Sequence, residues 1–222
     1  MSILSNYLGT HGELKAADSV ATKMAVIHPE YSRWKNAYKL MWDGKPGDAY
    51  RLFSSVRPDR FSREYHAFLA QYYLEIGSPD SGLVHAQLAV QLQKYVDETY
   101  VWLANAYQQT GNPAKSLETL RQGFELNSQN RELVLALALV HYNNGRFDST
   151  MIYAERYHQI LSDDPRYHYL KAKAYYGMRN IKAALDEAQL YVQSGAVNAD
   201  YADYRAELGQ LLPQLKTMAP TK

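Results

Sequence analysis

Seven histidines and three adjacent pairs of carboxylates are the side chains that could carry metal or acid–base chemistry in this sequence. The acidic pairs are Asp97–Glu98, Asp163–Asp164 and Asp186–Glu187. We expect them to cap helices or to lie on solvated helix faces, because negative charge is favourable near a helix N-terminus. The sequence contains no zinc-ligand spacing, glycine-rich phosphate loop or nucleophile elbow. We therefore predict no catalytic residue, no bound metal and no cofactor.

The composition excludes several classes of protein. Of the 222 residues, 46% are hydrophobic, which is typical of a folded domain. The chain has no cysteine, so disulfides and thiolate metal sites are excluded. A net charge of +1 removes the main electrostatic reason to expect a nucleic acid or an anionic membrane as partner.

The sequence gives no positive signal for secretion or for a membrane span. Residues 1–10 lack the basic start and apolar stretch of a signal peptide. The longest apolar run, from Leu133 to Val140, is far shorter than the roughly 20 residues that span a bilayer. We expect a cytoplasmic protein without a membrane span, or a periplasmic one if a signal peptide has been removed.

Glycines recur at a nearly constant spacing along the chain. They are Gly12, Gly44, Gly77, Gly111 and Gly145, with spacings of 32, 33, 34 and 34 residues, and Arg179 continues the register. Bulky residues precede these positions and small residues follow them at fixed distances. Because several columns share one period, the sequence predicts repeated supersecondary units.

Residues 98–128 show how one unit is built. Tyr100, Leu103 and Tyr107 recur at three- and four-residue steps, which is the period of a helix stripe. Gly111 is expected to end this helix in a conformation with positive φ. Pro113 suits the first position of the next helix, because the N–H that proline lacks has no intrahelical partner there.

Polar residues precede prolines at three predicted helix starts. They are Ser78, Asn112 and Asp164, each followed directly by proline. Side-chain oxygens of these residue types commonly accept a hydrogen bond from a free N–H in the first helical turn. We therefore expect each of them to cap the helix that follows.

Five helix pairs follow from these signals. They are predicted at 30–43 with 46–56, 62–76 with 79–91, 97–110 with 113–126, 130–143 with 147–160, and 164–178 with 181–193. Before them, residues 12–27 are interpreted as the second helix of a degenerate unit, with a stunted first helix at 3–8. After them, a helix from Asn198 to about Leu212 is expected to present Tyr204 and Leu208 to the core and Glu207 to solvent. Pro213 is expected to kink or end it.

The motif Tyr100-x-x-Leu103-Ala104-x-x-Tyr107, followed by Gly111-Asn112-Pro113, resembles the tetratricopeptide repeat family. The resemblance covers roughly Gly12 to Ser194. It implies an all-α fold, a right-handed α-solenoid of about five to six tetratricopeptide-type helix pairs with a C-terminal capping helix. The implied division is a partial repeat at 1–29, five repeats at 30–197, and a capping helix with a frayed tail at 198–222.

In this family the first helix of each pair lines a concave groove that receives a partner. Carried over in register, the resemblance implies a mostly apolar, aromatic-lined groove. Its residues are Trp34, Tyr38, Trp42, Phe68, Gln71, Trp102, Asn105, Leu139, Tyr142, Tyr169, Lys173 and Tyr176. Some of these side chains could instead belong to the core between repeats, because the rotation of each helix is not set by its register.

The resemblance implies a non-enzymatic protein–protein interaction module: an adaptor, assembly factor, chaperone or scaffold that binds a protein or peptide segment. Two alternatives stay open. One is a scaffold that assembles with its own copies through the ends of the solenoid, as a homo-oligomer. The other is a regulatory subunit associated with an enzyme.

Overall fold

The computed structural model describes residues 29–55, 62–195 and 201–218, and these form eleven α-helices and no strand. The helices are α1 (Pro29–Trp42), α2 (Pro46–Phe53), α3 (Ser62–Glu75), α4 (Pro79–Leu92), α5 (Glu98–Gln109), α6 (Pro113–Leu126), α7 (Arg131–Asn143), α8 (Phe147–Ile160), α9 (Arg166–Gly177), α10 (Ile181–Gln193) and α11 (Ala202–Met218). The all-α prediction is confirmed, and the five predicted pairs are α1–α2 to α9–α10. The degenerate unit expected before residue 29 lies outside the described residues.

The turn inside each pair is built in the same way. In the third pair, Gly111 has a φ of +75°, and the Asn112 N–H donates to the Tyr107 carbonyl at 2.8 Å. This bond satisfies a carbonyl that the end of α5 leaves without an intrahelical partner. In the fifth pair a non-glycine residue, Arg179, takes the left-handed conformation with a φ of +63°. The repeated glycines therefore mark the turns inside the pairs. In the fifth pair, Arg179 stands at the position that glycine has in the others.

Two of the three predicted side-chain caps are absent. Ser78 and Asn112 precede α4 and α6 without a capping bond from their side chains. The Asn112 amide instead donates back to the Thr110 carbonyl at 3.0 Å, because it is held close to the preceding turn. Asp164 lies one residue before the N-cap Pro165, and its carboxylate accepts from the Arg166 N–H at 2.9 Å, which satisfies a free N–H at the start of α9.

The second helix of the first pair is shorter than predicted. It ends at Phe53, whereas the sequence predicted residue 56. The hydroxyls of Ser54 and Ser55 donate to the carbonyls of Arg51 and Leu52 at 2.9 and 2.7 Å. Serine competes in this way for backbone groups and favours helix ends over helix interiors.

The chain packs as two compact units, one up to Asn130 and one from Arg131. In the first unit, each pair packs internally, and α4 also packs against α5. One core cluster joins α1 and α2 to α3 through residues that include Trp34, Tyr38, Phe53 and Phe68. The predicted boundaries at residues 29 and 197 do not coincide with this division and stay predictions.

The second unit contains α7 to α11. The pairs α7–α8 and α9–α10 pack internally, α8 packs against α9, and α11 packs against α10 and, less extensively, α9. Fully buried Tyr157, Tyr169 and Tyr191 fill its interior. The Tyr157 hydroxyl donates to Asp164 at 2.9 Å, which satisfies the polar end of a buried ring.

Helix α11 continues beyond the predicted end. It passes through Pro213 and reaches Met218. The sequence predicted that the proline would kink or end the helix, and the predicted end was wrong. A proline in a helix interior costs about 3 kcal/mol. Leu215, in the turn after it, is completely buried, and burying a leucine contributes about 1.5–3 kcal/mol. This burial offsets most of the proline's cost, so the helix continues.

Candidate functional site

Three predicted groove residues lie inside the first unit. Trp34, Tyr38 and Phe68 have exposed fractions of 8%, 7% and 0%. The Tyr38 ring meets Trp34 edge-on at 4.8 Å and Phe68 at 5.3 Å. Because Trp34 and Tyr38 are four residues apart on α1, both face the same neighbours. These side chains fill the core between repeats and offer a partner little surface, which differs from the predicted groove lining.

The other predicted residues of the first unit keep more surface. Gln71 on α3 and Trp102 on α5 are half-buried, and Asn105 on α5 is exposed. The side chain of Trp42 lies outside the described part of the structure. The binding role of these residues stays a prediction.

In the second unit, four predicted residues converge on one open cleft of about 220 Å³. Tyr142 comes from α7, and Tyr169, Lys173 and Tyr176 come from α9. The residues of α9 that line it are three and four apart, so they share one face of that helix. Leu139, also predicted, is half-buried on α7 but does not line this cleft.

The opposite wall of the cleft was missed by the sequence analysis. It is formed by α11, through Glu207, Leu208, Gln210, Leu211 and Gln214. Glu207 is exposed, as the sequence predicted, and its carboxylate also accepts hydrogen bonds from two residues of α9. The sequence did predict an inner face for this helix, with Leu208 towards the core, but its pattern contains no signal that this face borders the groove.

A polar junction joins the two walls. The Lys173 ammonium lies 2.7 Å from the Glu207 carboxylate, and the Tyr169 hydroxyl donates to the same oxygen at 2.7 Å. The ammonium also lies 4.6 Å from the centre of the Tyr142 ring and 5.3 Å from that of Tyr169. Both contacts are close enough for cation–π attraction. Lys173 is thus compensated by a carboxylate and by two rings.

The pKa values follow this arrangement. Burial alone would raise the pKa of Glu207, but the hydrogen bonds from Lys173 and Tyr169 outweigh it, so the pKa is lowered. Burial, followed by the bond to Glu207, raises the pKa of the Tyr169 hydroxyl. At neutral pH the carboxylate is therefore ionised and the phenol keeps its proton. The junction carries one positive and one negative charge and no net charge.

A second depression, of about 330 Å³, lies at the turn before α8. Its lining is Gly145, Arg146, Phe147, Asp148, Ser149 and Met178. It holds none of the predicted groove residues. It is formed around the helix-pair turn, so the cleft remains the candidate site.

The acidic pairs singled out in the sequence have structural partners. In the first unit, Asp97 accepts from the side-chain amides of Asn127 and Asn130 at 2.8 and 2.9 Å, which ties two turns together. In the second unit, Asp164 binds the Arg166 guanidinium at 2.7 Å. These carboxylates hold turns and helix starts in place, as their expected capping role implies.

Several of the seven histidines are at least partly buried. His141 is buried, and His66 and His168 are half-buried. The Nδ1 atoms of His66 and His85 are 2.8 Å apart, and burial lowers the pKa of both rings. Across residues 29–55, 62–195 and 201–218, no group of three or more His, Cys, Asp or Glu side chains is arranged to hold a metal ion.

Over the same described part of the chain, no helix combines the length and the apolar character that crossing a bilayer requires.

Comparison with known proteins assigns part of the chain directly. The family model for the tetratricopeptide repeat matches residues 97–130, which contain α5 and α6. By sequence, the chain matches none of the curated proteins compared with it.

Solved structures extend this likeness over most of the chain. A thermophilic tetratricopeptide repeat protein of Thermus thermophilus is 19% identical with a TM-score of 0.71, over 83% of this chain and 99% of its own. Pseudomonas aeruginosa pilF is 15% identical with a TM-score of 0.62, over 85% of this chain and 86% of its own. A chain of the APC/C hetero-tetramer Cut9–Hcn1 is 15% identical with a TM-score of 0.72, over 96% of this chain and 42% of its own. At these identities the likeness shows a shared fold.

Proposed function

We propose that this chain, a tetratricopeptide repeat protein, is a non-enzymatic module that binds a segment of another protein in the cleft of its second unit. The observation that carries the proposal is the convergence of Tyr142, Tyr169, Lys173 and Tyr176 on that cleft. Tyrosine offers large apolar area with few rotatable bonds, so it loses little conformational entropy on binding. Tyr142 and Tyr176, which are half-buried at this concave surface, therefore suit a binding hot spot, whereas Tyr169 is buried and supports the cleft through its bond to Glu207.

The size and electrostatics of the cleft favour a protein ligand over a small molecule. Small-molecule sites usually enclose about 300–1,000 Å³, and this open cleft has about 220 Å³. Its lysine is neutralised by Glu207 at 2.7 Å, so it has no spare charge with which to attract an anionic ligand. A partner with little charge, held mainly by apolar and aromatic contacts, fits these properties. An adaptor, assembly factor or chaperone would use such a site.

The test is a comparison of binding affinities. A partner is first captured from the native host with the parent chain, identified and purified. Its dissociation constant is then measured for the parent and for a Tyr142→Ala, Tyr176→Ala variant. We expect the variant to lose at least about 2 kcal/mol, roughly thirtyfold in affinity. Because the cleft carries no net charge, binding of the parent should weaken only slightly as salt rises.

Two further variants locate the binding surface. Ile152→Ala removes a side chain on α8 that is 67% exposed and lies away from the cleft lining, so affinity should not change. Trp102→Ala reports the contribution of the predicted residues in the first unit. A folded Tyr142→Ala, Tyr176→Ala variant that binds as tightly as the parent would refute the proposed site. A steep loss of parent binding with salt would move the site to a charged surface.

A further inference from the structure

Helix α11 was expected only to cover the last repeat, yet it supplies five of the nine residues that line the cleft. A helix beside a binding site can act in two ways. It can occupy the site and leave when a partner arrives, or it can stay and form part of the site. The two possibilities predict opposite effects for substitutions on α11.

The burial of α11 decides between these possibilities. Leu208 and Leu215 have exposed fractions of 1% and 0%, so releasing the helix would expose two fully buried leucines. The junction with Lys173 is weaker by comparison, because the Glu207 side chain is 56% exposed and water screens the ion pair. A partner gains little by displacing the helix and would expose much apolar surface. The helix therefore stays in place during binding.

The exposed part of α11 completes the cleft. Leu211 is half-buried, whereas Gln210 and Gln214 are exposed, and all three line the space opposite Tyr142 and Tyr176. Gln210 and Gln214 are four residues apart, so their amides lie on one face of the helix. Side-chain amides both donate and accept, which suits the backbone of a bound segment. The wall thus offers an apolar contact flanked by neutral hydrogen-bonding groups.

Resting on the proposed function, we infer that α11 is a permanent wall of the binding site, which takes one large uncharged side chain of the partner segment. A charged side chain would find no free counter-charge in the cleft, because Lys173 and Glu207 are already paired at 2.7 Å. The Lys173–Glu207 pair helps to set the spacing between α11 and α9, although the buried leucines of α11 contribute more to that contact. In this role Glu207 is a positioning residue, since it acts on the partner through the spacing of the two walls.

The first experiment uses a chemically defined probe. N-acetyl-L-tryptophanamide carries one neutral aromatic side chain between two neutral amides. It is titrated into the full chain with leucine methyl groups isotopically labelled for nuclear magnetic resonance. We expect saturable shifts of the Leu208 and Leu211 methyl signals, and none for Leu190, which is exposed on α10. N-acetyl-L-glutamate amide, an anionic probe, should give no saturable shift at the same concentrations. Tighter binding of the anionic probe, or no shift at α11 with the neutral one, overturns the inference.

The second experiment tests the wall with the purified partner. Leu211→Ala and Gln214→Ala should each weaken binding by about fivefold or more, as truncation of a contributing interface residue does. Gln214 is exposed, so its variant keeps the test decisive if Leu211→Ala unfolds the chain. Leu190→Ala is the matched control and should bind as the parent does. Unchanged affinity in both wall variants overturns the inference.

A third experiment tests the Lys173–Glu207 ion pair. Glu207→Gln should weaken binding of the tryptophan probe by about threefold, within the range of a partly exposed ion pair. The reversed pair, Lys173→Glu with Glu207→Lys, should restore most of that loss. The melting temperature of Glu207→Gln should stay close to that of the parent, which a role limited to helix stability would not allow. Tighter binding by Glu207→Gln would show that α11 competes with the ligand, and would overturn the inference.

The outcomes separate the inference from the proposed function. If Tyr142→Ala, Tyr176→Ala weakens partner binding and the α11 variants do not, the cleft is the site but α11 is no part of it. If neither set changes the affinity, the proposed function itself fails.

Discussion

The two units use the predicted aromatic residues of their first helices differently. Trp34 and Phe68 are buried in the first unit. Tyr142 and Tyr176, which are 34 positions apart, are half-buried beside the cleft of the second unit. All four lie on first helices, and all four were predicted to line a groove. The comparison teaches that the direction of a side chain around the helix axis, together with the helices packed against it, decides whether an aromatic residue packs or remains accessible.

The largest expected effect separates the buried from the half-buried aromatic residues by stability. The ring of Phe68 is fully buried and stacks on Phe53 at 3.9 Å between centroids. Phe68→Ala should therefore lower the free energy of unfolding by about 3–5 kcal/mol. Tyr176→Ala should lower it by about 1 kcal/mol or less, because the side chain keeps contact with solvent. Urea unfolding followed by circular dichroism measures both. Equal losses for the two variants would show that both residues belong to the core.

A second prediction concerns the helix that forms one wall of the cleft. Leu208→Ala should lower the free energy of unfolding by about 2–5 kcal/mol, because it removes a fully buried leucine. Deleting residues 198–222 should destabilise the chain further and expose apolar surface that promotes self-association. Met218→Ala, at a side chain that is 45% exposed, is the control and should be nearly neutral. Thermal melting and light scattering measure the two effects. A monomeric truncated chain with unchanged melting would show that α11 is a tail.

The contrast between these residues also marks what the sequence could predict. Gly111 and Pro113 bounded their helices correctly, because a left-handed turn and the first helical position each restrict residue type. The rotation of α1 could not be read in the same way, since Trp34 is chemically as suited to a groove as to a core. That choice depends on its contact with Tyr38 at 4.8 Å and on neighbouring helices. Only tertiary packing supplies that information.

Only one wall of the cleft could be predicted from the sequence, for a related reason. Tyr142 and Tyr176 occupy equivalent positions in successive repeats, and Lys173 lies on the same face of α9 as Tyr176. The repeat pattern therefore suggests that these side chains lie close together. Glu207 belongs to a helix outside that register, and its own periodicity places it among polar residues. Its bond to Lys173 depends on how α11 lies against α9, which the pattern of a single helix does not contain.

A third prediction tests how tightly the cleft-bearing helix is packed. A Cβ added at Gly177, the last residue of α9, would overlap the ring of Phe147. Gly177→Ala should therefore destabilise the chain by about 1–3 kcal/mol, although alanine favours helices. Gly209→Ala on α11 is the matched control, because a Cβ there meets nothing within 4 Å. That variant should be neutral or stabilising. Unfolding in urea compares them, and a stable Gly177→Ala variant would show that this contact relaxes freely.

The smallest expected effect comes from the turn that departs from the glycine column. Arg179 takes a φ of +63°, a conformation that is unfavourable for a residue with a Cβ. Arg179→Gly should raise the free energy of unfolding by about 0.5–1 kcal/mol, after the entropy that glycine loses on folding is subtracted. The reverse change at a matched turn, Gly145→Arg, should destabilise by a similar amount, since Gly145 has a φ of +69°. A melting temperature that falls in Arg179→Gly would contradict this account and indicate that the arginine side chain stabilises the turn.

The hydrogen bonds between successive repeats have a consequence for how the chain is made. Asp97 binds Asn127 and Asn130, which follow it by 30 and 33 positions, and Glu207 binds Lys173 and Tyr169, 34 and 38 positions before it. Contacts at such short separation lose little loop-closure entropy, and chains rich in them fold quickly. Folding can therefore start at the N-terminal repeats during synthesis, each repeat being stabilised as soon as the following one has left the ribosome.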